Sequence, residues 1–188
     1  MPRRLRYQVA VSLDGYIARL DGSHDWIVMD PTIDFAALFG GFDAAVMGRK
    51  TYDVVRAQGH LEMMAGIECV VFSRSLPEST APGLRVTHDD PVSTTRAMKA
   101  QAGRDIWLYG GGELFLTLLQ AGLVDTVELA VIPVLLGDGV PLVPPGHETT
   151  LTLCDSRVLP ASGIVALAYA VPGGVGPAPV IDWVAPRA

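Results

Sequence analysis

Short apolar runs alternate along the chain with glycine, proline and polar turn residues. Apolar runs bounded by turns are typical of buried strands, whereas apolar residues three or four positions apart are typical of helices. The runs predict strands at residues 7–13, 16–18, 44–47, 67–72, 84–87, 106–109 and 126–132, and a closing hairpin at 151–157 and 164–170. The spacing predicts helices at about 32–39, after Gly48, at 91–101 and from the glycines at 110–112 to about 120. This alternation predicts a single three-layer α/β domain with a mostly parallel central sheet and an antiparallel C-terminal edge.

The predicted domain covers residues 1–171, and a proline- and glycine-rich tail follows at 172–188. The tail contains four prolines and three glycines, but Ile181, Trp183 and Val184 give it apolar side chains to bury. We therefore expect the tail to dock either on its own domain or on a partner subunit.

Composition narrows the range of function classes. The net charge of -6 argues against nonspecific binding to nucleic acid or to an anionic membrane surface. The two cysteines are too few for a disulfide framework, which favours a cytoplasmic location. No apolar run approaches the roughly 18 residues of a membrane span, and the four histidines lack metal-ligand spacing. A small-molecule site remains the open possibility.

The sequence IWLYGGGELFLTLL, at 106–119, predicts a strand, a glycine turn and a helix. Glycines let a ligand approach the backbone, and the unpaired N–H groups at a helix start attract an anion such as a pyrophosphate. The same triplet could equally serve only as a tight connection. It does not fit the six-residue dinucleotide fingerprint, because Phe115 stands where the last glycine would be, which argues against a Rossmann domain.

Two other predicted strand ends carry residues that suit phosphate or ribose. Gly48, Arg49 and Thr51 follow the strand at 44–47, and Ser73 and Arg74 follow the strand at 67–72. Each residue taken alone fits an ordinary solvated surface position. Because ligands of open α/β sheets bind outside the carboxyl ends of the strands, the three strand ends together predict a nucleotide site.

Four segments carry a family resemblance. AVMGRKTYDVV (45–55), ECVVFSRSL (68–76) and the glycine-turn segment resemble the cofactor-binding elements of dihydrofolate reductases. YQVAVSLDGYIA (7–18), followed by Trp26, is similar to the reductase domain of bacterial riboflavin biosynthesis, as is GLVDTVELAVIPVLLGDGVPLV (122–143). The resemblance covers approximately residues 5–170 and implies a dihydrofolate reductase-like fold.

The resemblance implies a reductase that passes hydride from NADPH to a pterin-like or aminopyrimidine-like substrate, and a homodimer assembled through 122–143 or the tail. The implied cofactor-binding residues are Ala10, Gly15, Gly48, Arg49, Thr51, Ser73, Arg74, Gly110, Gly111, Gly112, Glu113 and Leu114. The implied substrate-side residues are Asp14, Trp26, Asp34 and Tyr52. Guanidinium and hydroxyl groups at the strand ends favour the extra phosphate of NADPH over the free ribose of NADH.

Asp34 and Asp14 are the candidate catalytic acids, since hydride reduction needs a proton from a positioned acid or from water. Both also fit structural roles, Asp34 in a first helical turn and Asp14 in a turn beside glycine. The chain departs from the riboflavin-pathway reductase at Tyr109, where that family usually has an acidic residue, and carries Glu113 after the glycines instead. It also lacks a zinc deaminase signature, which indicates a stand-alone reductase-like domain. The alternative function is a noncatalytic NADP-binding or assembly protein that retains the fold.

Overall fold

The computed structural model describes residues 2–184. Eleven strands and four α-helices follow one another along this part of the chain, with a short 3-10 helix at Glu62–Met64. In chain order the elements are β1 (Leu5–Ser12), β2 (Tyr16–Ala18), α1 (Phe35–Gly40), β3 (Phe42–Gly48), α2 (Arg49–Ala57), β4 (Glu68–Phe72), β5 (Ser79–Ala81), β6 (Leu84–Thr87), α3 (Pro91–Ala100), β7 (Asp105–Gly110), α4 (Gly112–Gln120), β8 (Thr126–Ile132), β9 (Val140–Pro141), β10 (Thr152–Leu159) and β11 (Ile164–Ala170).

Nine strands form one sheet in the order β10-β11-β8-β1-β7-β3-β4-β6-β5. The six strands from β8 to β6 in that order are parallel, and β11 and β10 add an antiparallel C-terminal edge. This confirms the predicted α/β class. The opposite edge differs from the prediction, because the unpredicted β5 pairs antiparallel with β6. Its three residues are all exposed and carry no apolar pattern that sequence reasoning could detect.

Helices cover both faces of the sheet, which gives the predicted three layers. On one face, Met98 of α3 and Phe115 of α4 join a buried cluster with Tyr7 and Leu108 of the central strands. The rings of Tyr7 and Phe115 stack with centroids 4.0 Å apart. Residues of α1 and α2 pack on the other face. Because parallel strands buried on both faces are apolar almost throughout, these runs were readable from the sequence.

The N-terminus of α1 lies three residues later than predicted. Asp34 is the N-cap, and its carboxylate accepts a hydrogen bond from the backbone N–H of Ala37 at 3.0 Å. Pro31 therefore precedes the helix instead of occupying its first turn. The two-residue β9, which pairs with β2, was not predicted either, because a strand that short has no recognisable pattern.

The tail docks on its own domain. Ile181 and Trp183 are 3% and 4% exposed and join an apolar cluster with residues of β8 and β11. The backbone N–H of Asp34 donates to the carbonyl of Trp183 at 2.8 Å, and Ile33 forms a β-bridge with Val184. Ile181 and Trp183 of the tail are thus buried within one chain, which answers the choice left open by the sequence. Residues 185–188 lie outside the described part.

Within residues 2–184, none of the helices combines the length and the apolar character that crossing a membrane requires.

Candidate functional site

A cleft of about 1530 Å³ opens at the carboxyl ends of β3, β4, β6 and β7 and extends across β1 and β8. Pockets for one small molecule usually measure about 300–1,000 Å³, so this cleft has room for two ligands side by side. The structure brings most of the predicted cofactor residues to it, namely Ala10, Gly48, Arg49, Thr51, Ser73, Arg74, Gly110, Gly111, Gly112, Glu113 and Leu114.

We call the part of the cleft formed by Gly48–Thr51, Ser73–Arg74 and Gly110–Leu114 the polar end. Two helices begin there, α2 after Gly48 and α4 after Gly111, and neither has a side-chain hydrogen bond at its N-cap. In α1 and α3, by contrast, Asp34 and Asp90 cap the helix. The two helices at the polar end therefore offer backbone N–H groups and the positive end of the helix dipole to an anionic ligand.

The two helix starts are in contact with each other. Gly111 has a φ of +70°, and a Cβ built there would lie 3.5 Å from Thr51 Oγ1. A Cβ on Gly112 would lie 3.1 Å from the carbonyl oxygen of Pro141. Positive φ at Gly111 and the tight approach at Gly112 explain why glycine stands at both positions. The turn leaves its backbone open toward the cleft, as a pyrophosphate cradle requires.

Cationic and hydroxyl groups flank this turn, but they differ in availability. Arg74 is exposed and makes no ion pair within residues 2–184. Arg49 pairs with Asp53 of the same helix at 2.7 Å, and both side chains are more than one third exposed. Ser73 Oγ accepts from the N–H groups of Ser75 and Leu76, so its hydroxyl hydrogen can still be donated. Arg74 is the cation best placed to meet an added phosphate without losing a partner.

The opposite part of the cleft, which we call the apolar end, is lined by Ala10, Ile33, Leu38, Ala130, Ile164 and Trp183. These residues come from β1, α1 and the segment before it, β8, β11 and the tail, and they all belong to one apolar cluster. Gln8 lines the cleft next to Ala10 on the same face of β1. The backbone carbonyl oxygen of Gln8 accepts a hydrogen bond from Trp107 Nε1 at 3.0 Å. The apolar end therefore suits an uncharged ring rather than an anion.

Tyr109 lies between the two ends and is the cleft-lining residue just before the glycine turn. Its ring packs on Trp107 with centroids 4.6 Å apart. Burial raises the pKa of the Tyr109 phenol above its ordinary value, with a smaller contribution from Cys69. The phenol thus stays protonated at neutral pH, and its hydroxyl is a hydrogen-bond donor.

The two candidate catalytic carboxylates do not line the cleft. Asp34 caps α1, as described above. Asp14 accepts hydrogen bonds from Ser12 Oγ at 2.6 Å and from the backbone N–H groups of Leu136 and Gly137 at 3.0 and 2.7 Å. These bonds, first of all the one from Ser12, lower the pKa of Asp14. Asp14 joins the end of β1 to the loop after β8, so the structural role considered for each residue is the one observed.

Three further predicted residues also lie outside the cleft lining. Trp26 and Tyr52 are each 7% exposed, and each belongs to an apolar cluster. Trp26 packs with residues of the tail, and Tyr52 lies on the buried side of α2. Tyr52 faces the sheet because helical periodicity places it on the same side as Val55. Gly15 forms a turn with a φ of +90°, and its N–H donates to the carbonyl of Ser12. These placements give the three residues structural roles in place of the predicted contacts to substrate or cofactor.

Sequence reasoning missed Gln8 and Trp183 as cleft residues. For Trp183 the apolar tail gave a signal of burial but not of its location. Gln8 stands in a strand whose other polar residues, Arg6 and Ser12, are also buried, and nothing in the pattern distinguishes it. No group of three or more His, Cys, Asp or Glu side chains is placed to hold a metal ion within the part of the chain described.

A sheet with two open helix starts at its carboxyl edge and a second, apolar compartment defines a reductase-like α/β domain of the dihydrofolate reductase type. The family of RibD C-terminal domains matches residues 3–164, so the chain belongs to this family. It is 31% identical over 179 residues to the uncharacterized protein YyaP of Bacillus subtilis, covering 89% of this chain and 94% of that protein.

Two comparisons include proteins of riboflavin biosynthesis. The chain is 28% identical over 155 residues to the riboflavin biosynthesis protein RibD of Mycobacterium tuberculosis, but this match covers only 44% of RibD. The structure of a Shewanella sp. PV-4 protein assigned to riboflavin biosynthesis superposes with a TM-score of 0.75 at 26% identity, covering 91% of this chain and 99% of that one. The domain is therefore RibD reductase-like in both sequence and fold.

Proposed function

We propose that the protein is an NADPH-dependent reductase that transfers hydride to a small pterin-like, aminopyrimidine-like or related ring. The observation that carries the proposal is the proximity of the open starts of α2 and α4 in a cleft large enough for two ligands. Arg74, which makes no ion pair within residues 2–184, lines the same cleft. Membership of the RibD C-terminal domain family supports it.

The residues of the polar end fit a dinucleotide phosphate. Backbone N–H groups after Gly111 would bind the pyrophosphate, and glycine at position 112 lets this turn pack against the carbonyl oxygen of Pro141. The N-terminus of α2 would bind a neighbouring phosphate, while Arg74 and the Ser73 hydroxyl would bind the 2′-phosphate. Bidentate guanidinium contacts are the usual means of recognising such a group, which favours NADPH over NADH.

When bound, NADPH supplies the hydride. The chain's own residues position the reacting ring and exclude water: Ala10 and Ala130 leave space above β1 and β8, and Leu38 and Trp183 close the apolar end. Since neither Asp14 nor Asp34 reaches the cleft, Tyr109 is the protonated group at the junction of the two ends. Its hydroxyl would donate a hydrogen bond to the acceptor atom of the substrate, with solvent supplying the proton.

The reaction type of 5-amino-6-(5-phosphoribosylamino)uracil reductases is the nearest model within this proposal. A noncatalytic NADP-binding or assembly protein remains the second candidate, favoured because none of the described residues that define the apolar end carries a carboxylate. The two differ in a single property: an enzyme oxidises NADPH when a suitable ring compound is present, whereas a binding protein retains the cofactor unchanged.

Titration with NADPH and NADH, followed by quenching of tryptophan fluorescence, tests the proposal. Trp107 and Trp183 both line the cleft, so bound cofactor should quench them. Selective binding of NADPH, followed by NADPH oxidation with a pterin or aminopyrimidine substrate, supports the reductase. Selective binding with no oxidation by any such substrate favours the noncatalytic protein, and binding of neither cofactor overturns both candidates.

We also propose that the protein is a homodimer. Strand β10 forms the end of the sheet and exposes Leu153 and Val158, while Leu135 in the loop after β8 is 70% exposed. The tail is less suited to the interface, because Ile181 and Trp183 are buried in their own chain. Sedimentation should give twice the chain mass of 20.0 kDa, and a monomer at micromolar concentration would contradict this assembly.

A further inference from the structure

The tail contributes to the cleft although it lies beyond the segment shared with the family. The family match ends at residue 164, and Trp183 comes nineteen residues later in the chain. Trp183 nevertheless lines the apolar end together with residues of β1, β8 and β11. This wall of the cleft is therefore formed by a part of the chain outside the matched residues.

Residues Val180–Val184 are held in place from three sides. The N–H of Ile181 donates to Asp155 Oδ2 of β10 at 3.0 Å. The carbonyl of Trp183 accepts from the N–H of Asp34 at 2.8 Å, and Val184 forms its bridge with Ile33. These contacts connect the segment to the start of α1, which also lines the cleft. The position of the Trp183 ring is thus fixed by backbone bonds that do not depend on its side chain.

The described residues that define the apolar end are all uncharged, so they offer no cation to an anionic ligand. The charged side chain nearest in the strand pattern is Arg6, two residues before Gln8. Its Nε and Nη2 donate to Glu128 at 2.8 and 2.7 Å, and its Nη1 lies 3.5 Å from Asp105 Oδ2. Placing a phosphate against the apolar residues would therefore leave a charge desolvated without compensation. The groups able to bind phosphate lie at the polar end, where the cofactor would occupy them.

Two buried polar atoms of cleft-lining residues lack a hydrogen-bond partner within the described residues: Trp183 Nε1, a donor, and Gln8 Oε1, an acceptor. Gln8 Nε2 donates to Glu128 Oε2 at 3.5 Å, and this contact orients the side-chain amide of Gln8. Buried polar groups in proteins are nearly always paired, so unpaired ones beside a cleft point to a ligand that supplies the missing partners. A ring with one acceptor and one N–H donor would do so.

We propose that Val180–Val184 form one wall of the substrate site, and that this site takes a planar, uncharged ring without a phosphate, packed against Trp183. The proposal rests on the reductase function proposed above, with the cofactor at the polar end. A substrate of this kind differs measurably from a phosphoribosyl-bearing one. A phosphate on the substrate should weaken its binding when the cofactor site is filled.

Riboflavin and FMN provide a matched pair of probes, because they carry the same uncharged planar ring and differ only in the phosphate. Binding of each is measured by flavin fluorescence in the presence of saturating NADP⁺, which keeps the phosphate of FMN out of the polar end. We expect riboflavin to bind about tenfold more tightly than FMN, which corresponds to about 1.4 kcal/mol. Equal or tighter binding of FMN would overturn the preference for an uncharged ligand.

Variants of Trp183 test the wall itself. Trp183→Ala should weaken riboflavin binding about tenfold, and Trp183→Phe should recover most of the loss because it restores an aromatic face. Val180→Ala is the matched control, since Val180 is 59% exposed in the same segment and does not line the cleft. It should change riboflavin binding by less than about twofold.

NADPH titrations of the same variants separate this proposal from the proposed function. All three should bind NADPH as the unmodified protein does, because Trp183 is remote from the polar end. Unchanged riboflavin binding by Trp183→Ala would overturn the role of the tail, even if NADPH binding is intact. Loss of riboflavin binding in both Trp183→Phe and Val180→Ala would show that the segment acts only through folding, and would equally overturn it.

Discussion

Replacement of Arg74 by alanine should reduce the preference for NADPH over NADH. A hydrogen-bonded contact to a charged group contributes about 1.5–3 kcal/mol, but the side chain of Arg74 is exposed, so solvent screening brings the expected value to about 1.4 kcal/mol. This corresponds to about a tenfold rise in the dissociation constant for NADPH. The constant for NADH should stay the same, because the lost partner is the 2′-phosphate that NADH lacks.

Arg49 provides an internal comparison. Its guanidinium must leave Asp53 before it can meet a phosphate, and an exposed helical ion pair of this kind contributes about 0.3–0.5 kcal/mol. The net contribution of Arg49 is therefore smaller, about 1 kcal/mol, so Arg49→Ala should raise the NADPH dissociation constant only about fivefold.

The assay is fluorescence titration of the unmodified protein, Arg74→Ala and Arg49→Ala with each cofactor, at low and at physiological ionic strength. Arg56→Ala is the matched control, because it removes an exposed charge from α2 at a position that does not line the cleft. The difference between cofactors should shrink as salt rises. If Arg74→Ala and Arg56→Ala gave the same NADPH-to-NADH ratio as the unmodified protein, Arg74 would not read the 2′-phosphate.

Three further substitutions test the remaining roles. Gly111 and Gly83 have φ angles of +70° and +76°, so replacing either one by alanine should lower the free energy of unfolding by about 1–2 kcal/mol. Only Gly111→Ala should also weaken NADPH binding. Equal effects of the two substitutions on NADPH binding would exclude the glycine turn as the pyrophosphate cradle. Asp34→Asn should leave turnover unchanged across pH, whereas Asp34→Ala should cost about 1 kcal/mol of stability through the lost cap; a shifted pH profile in Asp34→Asn would return it to the mechanism. Because the pKa of Asp14 is lowered in the folded protein, its carboxylate stabilises the fold above the unfolded-state pKa of about 4, and this contribution is lost as pH falls through the folded-state pKa. Asp14→Asn should therefore flatten the acid limb of a curve of Tm against pH. An unchanged acid limb would contradict the role of the hydrogen bond from Ser12.

The polar end was predictable because each of its parts is local in sequence. A strand, a glycine and a helix start occur within a few residues at Gly48–Thr51 and again at Gly110–Leu114, and the parallel sheet brings those strand ends to one edge. Most strands of the sheet were predictable too, because each of them is a continuous apolar run in the sequence. Local patterns fail where the structure depends on distant partners, as for the two-residue β9 and the edge strand β5.

The structural contacts of the substrate-side carboxylates could not be read from the sequence, for one physical reason. Asp14 and Asp34 carry carboxylates beside chain turns, and sequence alone does not show whether a carboxylate at a turn faces a ligand or backbone N–H groups. The structure shows that Asp14 meets the N–H groups of Leu136 and Gly137, more than a hundred residues away. Trp183 likewise reaches the cleft only through contacts with Ile33 and Asp34.

The two ends of the cleft therefore differ in how they can change. The polar end lies within the segment that matches the family, and its geometry is fixed by backbone turns that tolerate little substitution. The apolar end includes Trp183, which lies outside that segment, together with residues that lie inside it, such as Ala10 and Ala130. Substitutions in the tail can alter the substrate site without altering the phosphate-binding turns. Under the proposed reductase function, the choice of ring substrate should therefore depend on the apolar end, Trp183 included, and the choice of cofactor on the polar end.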